Sequence, residues 1–146
     1  KGSYIDYREQ NKLKNKLNNI FKEISNYLRV KKYFGIVGVD ILEDINNNLY
    51  VIDLNPRING STSLCLMKNH FKKLNINYSY FGGEITFKYI NQEQILNTLK
   101  QYLDNYEIIL LGMVEKTDNY ISSYIILTGN SLENIYKLKE YIENID

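Results

Sequence analysis

The chain has 146 residues, enough for one domain or a piece of one. An apolar fraction of 44% can support a core, and a formal net charge of +1 gives no electrostatic case for a nucleic acid partner or an acidic surface. The single cysteine, Cys65, excludes an intrachain disulfide and fits a reducing, cytoplasmic setting. No apolar run approaches the roughly 20 residues of a membrane span, and no signal peptide is read. The chain begins at Lys1 rather than Met, so a piece of a longer protein is expected.

In chain order, Lys1–Arg8 reads as a tail or the end of a strand. Glu9–Val30 reads as an amphipathic helix, with Leu13, Leu17, Ile20, Phe21, Ile24 and Leu28 at three- and four-residue spacing. Its opposite, lysine-rich face reads as solvated, because no aromatic residues interleave with the lysines. Ile36–Glu43 and Leu49–Asn55 read as the two strands of a hairpin, joined by a turn at Asp44–Asn48 where Asp and Asn tolerate the necessary backbone angles. Pro56 breaks the ladder, and Ser61 or Thr62 can cap a helix over Ser63–Lys72. From that helix Leu64, Cys65, Leu66 and Phe71 are expected to turn inward, while His70 stands among lysines at the surface.

Asn75–Gly83 reads as an irregular Tyr-rich loop with a turn at Gly82-Gly83, and a soft boundary there separates residues 1–80 from a small α+β segment, 81–146. The segment continues with a strand at Ile85–Tyr89 and a capping box at Asn91–Gln94 opening a helix to Leu103. A strand follows at Glu107–Glu115, a turn at Lys116–Asn119 and a strand at Tyr120–Thr128. A last helix, Leu132–Glu143, is capped from Asn130–Glu133. The fold class is α+β, an antiparallel sheet with packed helices.

Chemistry concentrates between Gly35 and Thr62. Symmetric pairing about the turn sets Asp40 opposite Asp53 and Gly38 opposite Asn55. Side chains alternate faces along a strand, so Asp40, Asp53 and Asn55 share one face, while Val37, Val39, Ile41, Ile52 and Leu54 form the core face. Directly opposed carboxylates repel, and a bound divalent cation removes the conflict. Oxygen ligands without His or Cys suit Mg²⁺ or Mn²⁺, which complete their shell with phosphates and water. Arg57 and the run Asn59-Gly60-Ser61-Thr62 follow at once, a guanidinium fork and a helix start suited to anions. Leu42 and Val51 share the acids' face nearer the turn, as a floor for adenine or as packing under a neighbouring loop. The plain alternative for the whole stretch is a hairpin with solvated acids on its outer face.

Gly-Val-Asp-Ile-Leu, a short turn, then Tyr-Val-Ile-Asp-Leu-Asn-Pro-Arg with a trailing Gly-Ser-Thr resembles the metal-binding core of ATP-grasp ligases. The resemblance covers about a fifth of the chain and implies the C-terminal subdomain of an ATP-grasp fold. It implies that Asp40 is the first metal carboxylate, Asp53 the acid bridging two Mg²⁺ (or Mn²⁺) ions, Asn55 the amide ligand of the second ion, and Arg57 the phosphate-binding arginine. The family more often has Glu where this chain has Asp53. It further implies ATP as cofactor, with Gly60, Ser61, Thr62 and Ser63 anchoring a phosphate or carboxylate, and Leu42 is the candidate for the adenine floor if it does not pack under a neighbouring loop. The implied reaction is carboxylate–amine ligation through an acyl phosphate, on small-molecule or peptide substrates. The hairpin-then-helix tail is similar to that of pheganomycin-type peptide ligases.

The lysines and hinge backbone that hold ATP in such enzymes have no counterpart before Glu9, so the chain alone is expected to turn over no ATP. Two other readings stay open. One is a non-catalytic module recognising a peptide or carrier protein through an exposed sheet edge at Tyr120–Thr128, and the other is a cation-binding structural domain. A homo-oligomer is compatible with each.

Overall fold

The computed structural model describes residues 2–88, 90–117 and 120–145. The elements are β1 (Ser3–Asp6), α1 (Gln10–Val30), β2 (Gly38–Glu43), β3 (Leu49–Asn55), α2 (Thr62–Leu66), α3 (Lys68–Lys73), β4 (Tyr78–Lys88), α4 (Gln92–Asp104), β5 (Ile108–Thr117), β6 (Tyr120–Gly129) and α5 (Leu132–Glu143). The class is α+β with antiparallel sheets. The chain forms two compact units, Glu9–Thr62 and, separately, Lys1–Arg8 with Ser63–Asp146.

In the larger unit four antiparallel strands lie in the order β1-β4-β6-β5. Alternation along β6 sends Ile121, Ile125 and Leu127 into one core, with Phe87 from β4, Ile95 and Leu99 from α4, and Ile135 and Ile142 from α5. Ile126, between them, joins Leu64 and Phe71 in a second core on the opposite face. Both helices over the main core are capped as their sequences dictate. Asn91 and Gln94 form a reciprocal capping box, and Ser131 accepts from the Asn134 N–H.

Three expectations are corrected in this unit. The first concerns Asn75–Gly83, where β4 runs from Tyr78 in place of an irregular loop. Gly82-Gly83 is a bulge in that strand, between Phe81 and Glu84, and Gly83 takes a φ of +88° that favours glycine. The second concerns the helix over Ser63–Lys72, which is broken at Met67 into α2 and α3. Successive helical residues point about 100° apart, so the short α2 turns Leu64 into the core while Cys65 and Leu66 are exposed. The third concerns the tail, where β6 lies between β4 and β5 and is not a sheet edge. Tyr89 and the Asp118–Asn119 part of the expected turn lie outside the described residues.

The segment Lys1–Arg8, read as a tail or strand end, is edge strand β1, paired Ser3↔Phe81 through Asp6↔Tyr78. Tyr7 pins it. Its hydroxyl donates to Leu64 O at 2.8 Å and lies 2.6 Å from Ser79 Oγ, and its ring packs on Phe71. Burial pushes the Tyr7 phenol above its ordinary pKa. Beside it, the Arg8 guanidinium holds the Asp6 carboxyl down at about 2.

The smaller unit contains α1 and the β2–β3 hairpin. Leu17, Ile20, Ile24 and Leu28 form the less exposed stripe of α1, whereas Leu13 and Phe21 are exposed. The helix ends in a Schellman motif, with Tyr33 N–H donating to Leu28 O and Lys32 in the left-handed region at φ 57°. Lys16 reaches Glu43 of β2 at 2.5 Å. Asp44 organises the hairpin turn by accepting from the Asn46 and Asn48 N–H groups and the Asn48 amide, which lowers its pKa through the Asn48 amide above all. That support is full above the ordinary carboxylate range and is lost as pH falls through the depressed value.

Replacing Tyr7 by Phe leaves Leu64 O and Ser79 Oγ without their partner. The substitution should cost about 1 kcal/mol of stability, read as a lower urea midpoint at unchanged slope. An unchanged midpoint would mean that the hydroxyl adds nothing to the anchoring of β1.

Candidate metal and phosphate site

The turn alone does not deliver the acid pair. Asp44 N–H donates to Asn48 O, Asn47 N–H donates to Asp44 O, and Asn47 is left-handed at φ 63°. This is a three-residue loop closed by a left-handed residue. It sets Glu43 opposite Leu49, Leu42 opposite Tyr50 and Ile41 opposite Val51. Continued without interruption, that register would face Asp40 with Ile52 and Val39 with Asp53, putting the two acids on opposite faces. A β-bulge intervenes. The register shifts after Ile41, leaving Ile52 without a partner and pairing Asp40 with Asp53, Val39 with Leu54 and Gly38 with Asn55. Bulges re-aim side chains in this way.

The expected pairs at Asp40 and Gly38 are therefore present, but the symmetric pairing behind them is not. Val51 shares Ile41's face, not the acids' face, and Tyr50 stands in its place opposite Leu42. Ile52, expected on the core face, is 64% exposed. Val37, Val39, Ile41 and Leu54 are half-buried, as a core face requires.

The Asp40 side chain makes no hydrogen bond or ion pair among the described residues. From Asp53 a line of contacts runs outward. Asn55 Nδ2 donates to Asp53 Oδ2 at 2.9 Å, and Arg57 Nη2 donates to Asn55 Oδ1 at 3.3 Å. Pro56 shapes the bend between them, with Arg57 N–H donating back to Asn55 O at 2.7 Å across a three-residue turn. Proline's fixed φ thus folds the guanidinium toward the amide.

Among the described residues no group of three or more His, Cys, Asp or Glu side chains gathers to hold a metal. An ion on this face would draw on two carboxylates, the Asn55 carbonyl oxygen and outside oxygens. That donor set fits Mg²⁺ or Mn²⁺, which take few protein carboxylates and leave positions for phosphate and water.

The loop beyond Arg57 is organised by Asn59, a role the sequence reading missed. Asn59 Oδ1 accepts from Ser61 Oγ at 3.0 Å and Thr62 Oγ1 at 2.8 Å, and Asn59 N–H donates to Thr62 Oγ1 at 3.1 Å. The Ser61 and Thr62 hydroxyls expected to cap a helix or hold an anion are engaged with Asn59. Moreover α2 has five residues, too short for its dipole to add much. Gly60 is exposed, and Ser63 belongs to the larger unit. One local signal for Asn59 was available: Asn followed by two hydroxyl residues within three positions favours side-chain-to-backbone turns.

Neutralising either acid should relieve the cross-strand repulsion in metal-free protein. Asp53→Asn should raise unfolding stability by a few tenths to about 1 kcal/mol, and adding Asp40→Asn should give no further gain of that size. Thermal melts in chelator read both, and an unchanged or lower midpoint for Asp53→Asn would show that solvent already screens the pair.

Residues 1–61 match the family model described as ATP-grasp domain, a stretch that contains the complete hairpin, Arg57 and Asn59. The match covers under half of the 146 residues, and it falls on the segment whose residues resemble the metal-binding core of that family.

Proposed function

We propose that this chain supplies the Mg·ATP-holding hairpin of an ATP-grasp ligase that joins a carboxylate to an amine. The observation that carries the reading is the cross-strand Asp40–Asp53 pair, with Asn55 and Arg57 linked to it in one line. That line lies inside the residues that match the ATP-grasp domain. A hairpin selected for stability alone would not oppose two acids on an exposed face.

In this reading Asp40, Asp53 and Asn55 hold two Mg²⁺ (or Mn²⁺) ions. Bound there, the ions neutralise the triphosphate and the phosphoryl group in flight. Asp53, between Asp40 and Asn55, is the carboxylate that would help to hold both ions. The Arg57 guanidinium, held by two long hydrogen bonds to Asn55 Oδ1 at 3.3 Å and Ile58 O at 3.4 Å, can swing its fork onto the transferring phosphoryl oxygens. Leu42, with Tyr50 opposite, offers an apolar platform for the base. Gly60, Ser61 and Thr62 would serve the acceptor carboxylate. Transfer of the terminal phosphoryl group to a carboxylate gives an acyl phosphate, and an amine then displaces phosphate. The substrates are small-molecule or peptide carboxylates and amines, in the manner of pheganomycin-type peptide ligases, in a cytoplasmic setting. No helix among the described residues is long and apolar enough to cross a membrane.

The peptide-binding alternative loses its main support, because β6 has neighbours on both sides. The ligase reading is tested in the full-length ligase it implies, by trapping acyl phosphate with hydroxylamine. Asp53→Asn should nearly abolish hydroxamate formation while the fold survives. Arg57→Lys keeps the charge but loses the planar fork, so turnover should fall more than ATP affinity. Hydroxamate formation by Asp53→Asn within a few-fold of wild type, on the order of 1 kcal/mol, would overturn the two-metal reading.

A further inference from the structure

We propose that the Asn59 side-chain amide is itself a binding group of this site, donating through Nδ2 to a polyphosphate oxygen, and that Gly38 is bare so that this amide fits. The inference rests on the Mg–polyphosphate reading above.

The orientation of the amide follows from its hydrogen bonds. Thr62 Oγ1 accepts from the Asn59 N–H, so the Thr62 hydroxyl proton is left to point at Asn59 Oδ1, where the Ser61 hydroxyl also donates. The oxygen end thus faces the loop, and the NH₂ end faces β2. A Cβ built on Gly38 would lie 2.1 Å from Asn59 Nδ2 and 3.6 Å from Asn55 Cβ. No side chain at position 38 can coexist with the amide where it sits.

The register places that amide within the site. Gly38 pairs with Asn55, next to the Asp40–Asp53 pair, and residues 38 and 40 share a face. Nδ2 therefore stands beside Asn55 on the acids' face. It has no acceptor among the described residues, although Oδ1 takes two donors. Nδ2 is not sealed from solvent, so a ligand oxygen can take the place of water as its acceptor. Neutral NH₂ beside carboxylates adds a donor for a metal-bound anion without competing for the metal. An anionic oxygen would make that hydrogen bond stronger than a neutral one.

The alternative is that Asn59 only staples its loop. Asn59→Asp keeps the shape and the oxygen that serves Ser61 and Thr62 but replaces the donor with a second, anionic oxygen, and Gly38→Ala, which displaces the amide without adding charge, separates loss of the donor from charge repulsion. The experiment measures binding of Mn²⁺ and of inorganic triphosphate with Mn²⁺ to the 146-residue chain, by calorimetry and water-proton relaxation. Asn59→Asp should weaken Mn²⁺–triphosphate at least ten-fold, leave the melting temperature in place and not weaken Mn²⁺ alone. Gly38→Ala, which evicts the amide, should show the same ten-fold loss. Triphosphate affinity of Asn59→Asp within two-fold of wild type would overturn the proposal. Asp53→Asn tests the underlying reading separately and should lose Mn²⁺ with and without triphosphate. If Asp53→Asn binds like wild type while Asn59→Asp does not, the metal reading falls and Asn59 stands as an anion group. A wild-type chain that binds no Mn²⁺–triphosphate at millimolar concentration overturns both.

Discussion

Two carboxylates held directly across a hairpin are an electrostatic cost that the smaller unit carries in place. Like charges opposed on neighbouring strands destabilise the pair by a few tenths to about 1 kcal/mol, and Asp40 has no compensating partner among the described residues. The rest of the hairpin serves to hold that unfavourable pair. A left-handed Asn47 closes the turn, an unpaired Ile52 corrects the register, and Pro56 bends the chain so that Arg57 meets Asn55. The apolar face opposite is only half-buried, and both clusters of buried residues lie in the other unit.

Local signals were the legible part. The Asn91–Gln94 box, the Ser131 cap, the limits of β3 and α5 and the alternation of β2 depend on contacts within a few residues and are legible in the sequence. The acid pair at Asp40 and Asp53 was legible too, although through an incomplete account. Counting from the turn shows parity only if the turn's closing residue is known, and nothing local marks Asn47 rather than Asn46 or Asn48 as left-handed. The bulge at Ile52 offsets that parity, so two unseen features cancelled. Val51 lay in the stretch where they did not cancel, and its face was misread.

Non-local pairing explains the other misses. Tyr78–Phe81 becomes strand because β6, more than 40 residues later, and β1 both pair with it. Gly82-Gly83 carries the strongest turn signal in that region, yet a bulge absorbs it within a continuous strand. One long helix would turn Cys65 and Leu66 into the core. A break at Met67 leaves each short piece only one buried position, Leu64 in α2 and Phe71 in α3. The Asn59–Gly38 contact belongs to the same class: its two residues are 21 positions apart, and it becomes visible only when the missing Cβ of Gly38 is set against the amide that occupies its space.

The bulge also decides which changes of chain length this hairpin can absorb. Excising Ile52 would make Val51 and Asp53 immediate neighbours on a regular strand, pointing to opposite faces as they already do, with Asp40 still across from Asp53. Excising Leu54 would instead turn Asn55 to the apolar side and carry Pro56 and Arg57 with it. Length variation among chains that share this hairpin should therefore collect on the turn side of Asp53, with the count from Asp53 to Arg57 held constant. The site is in effect indexed from its far end, and the stretch from Asp44 to Ile52 is the slack that lets the connecting loop drift without moving the acids apart.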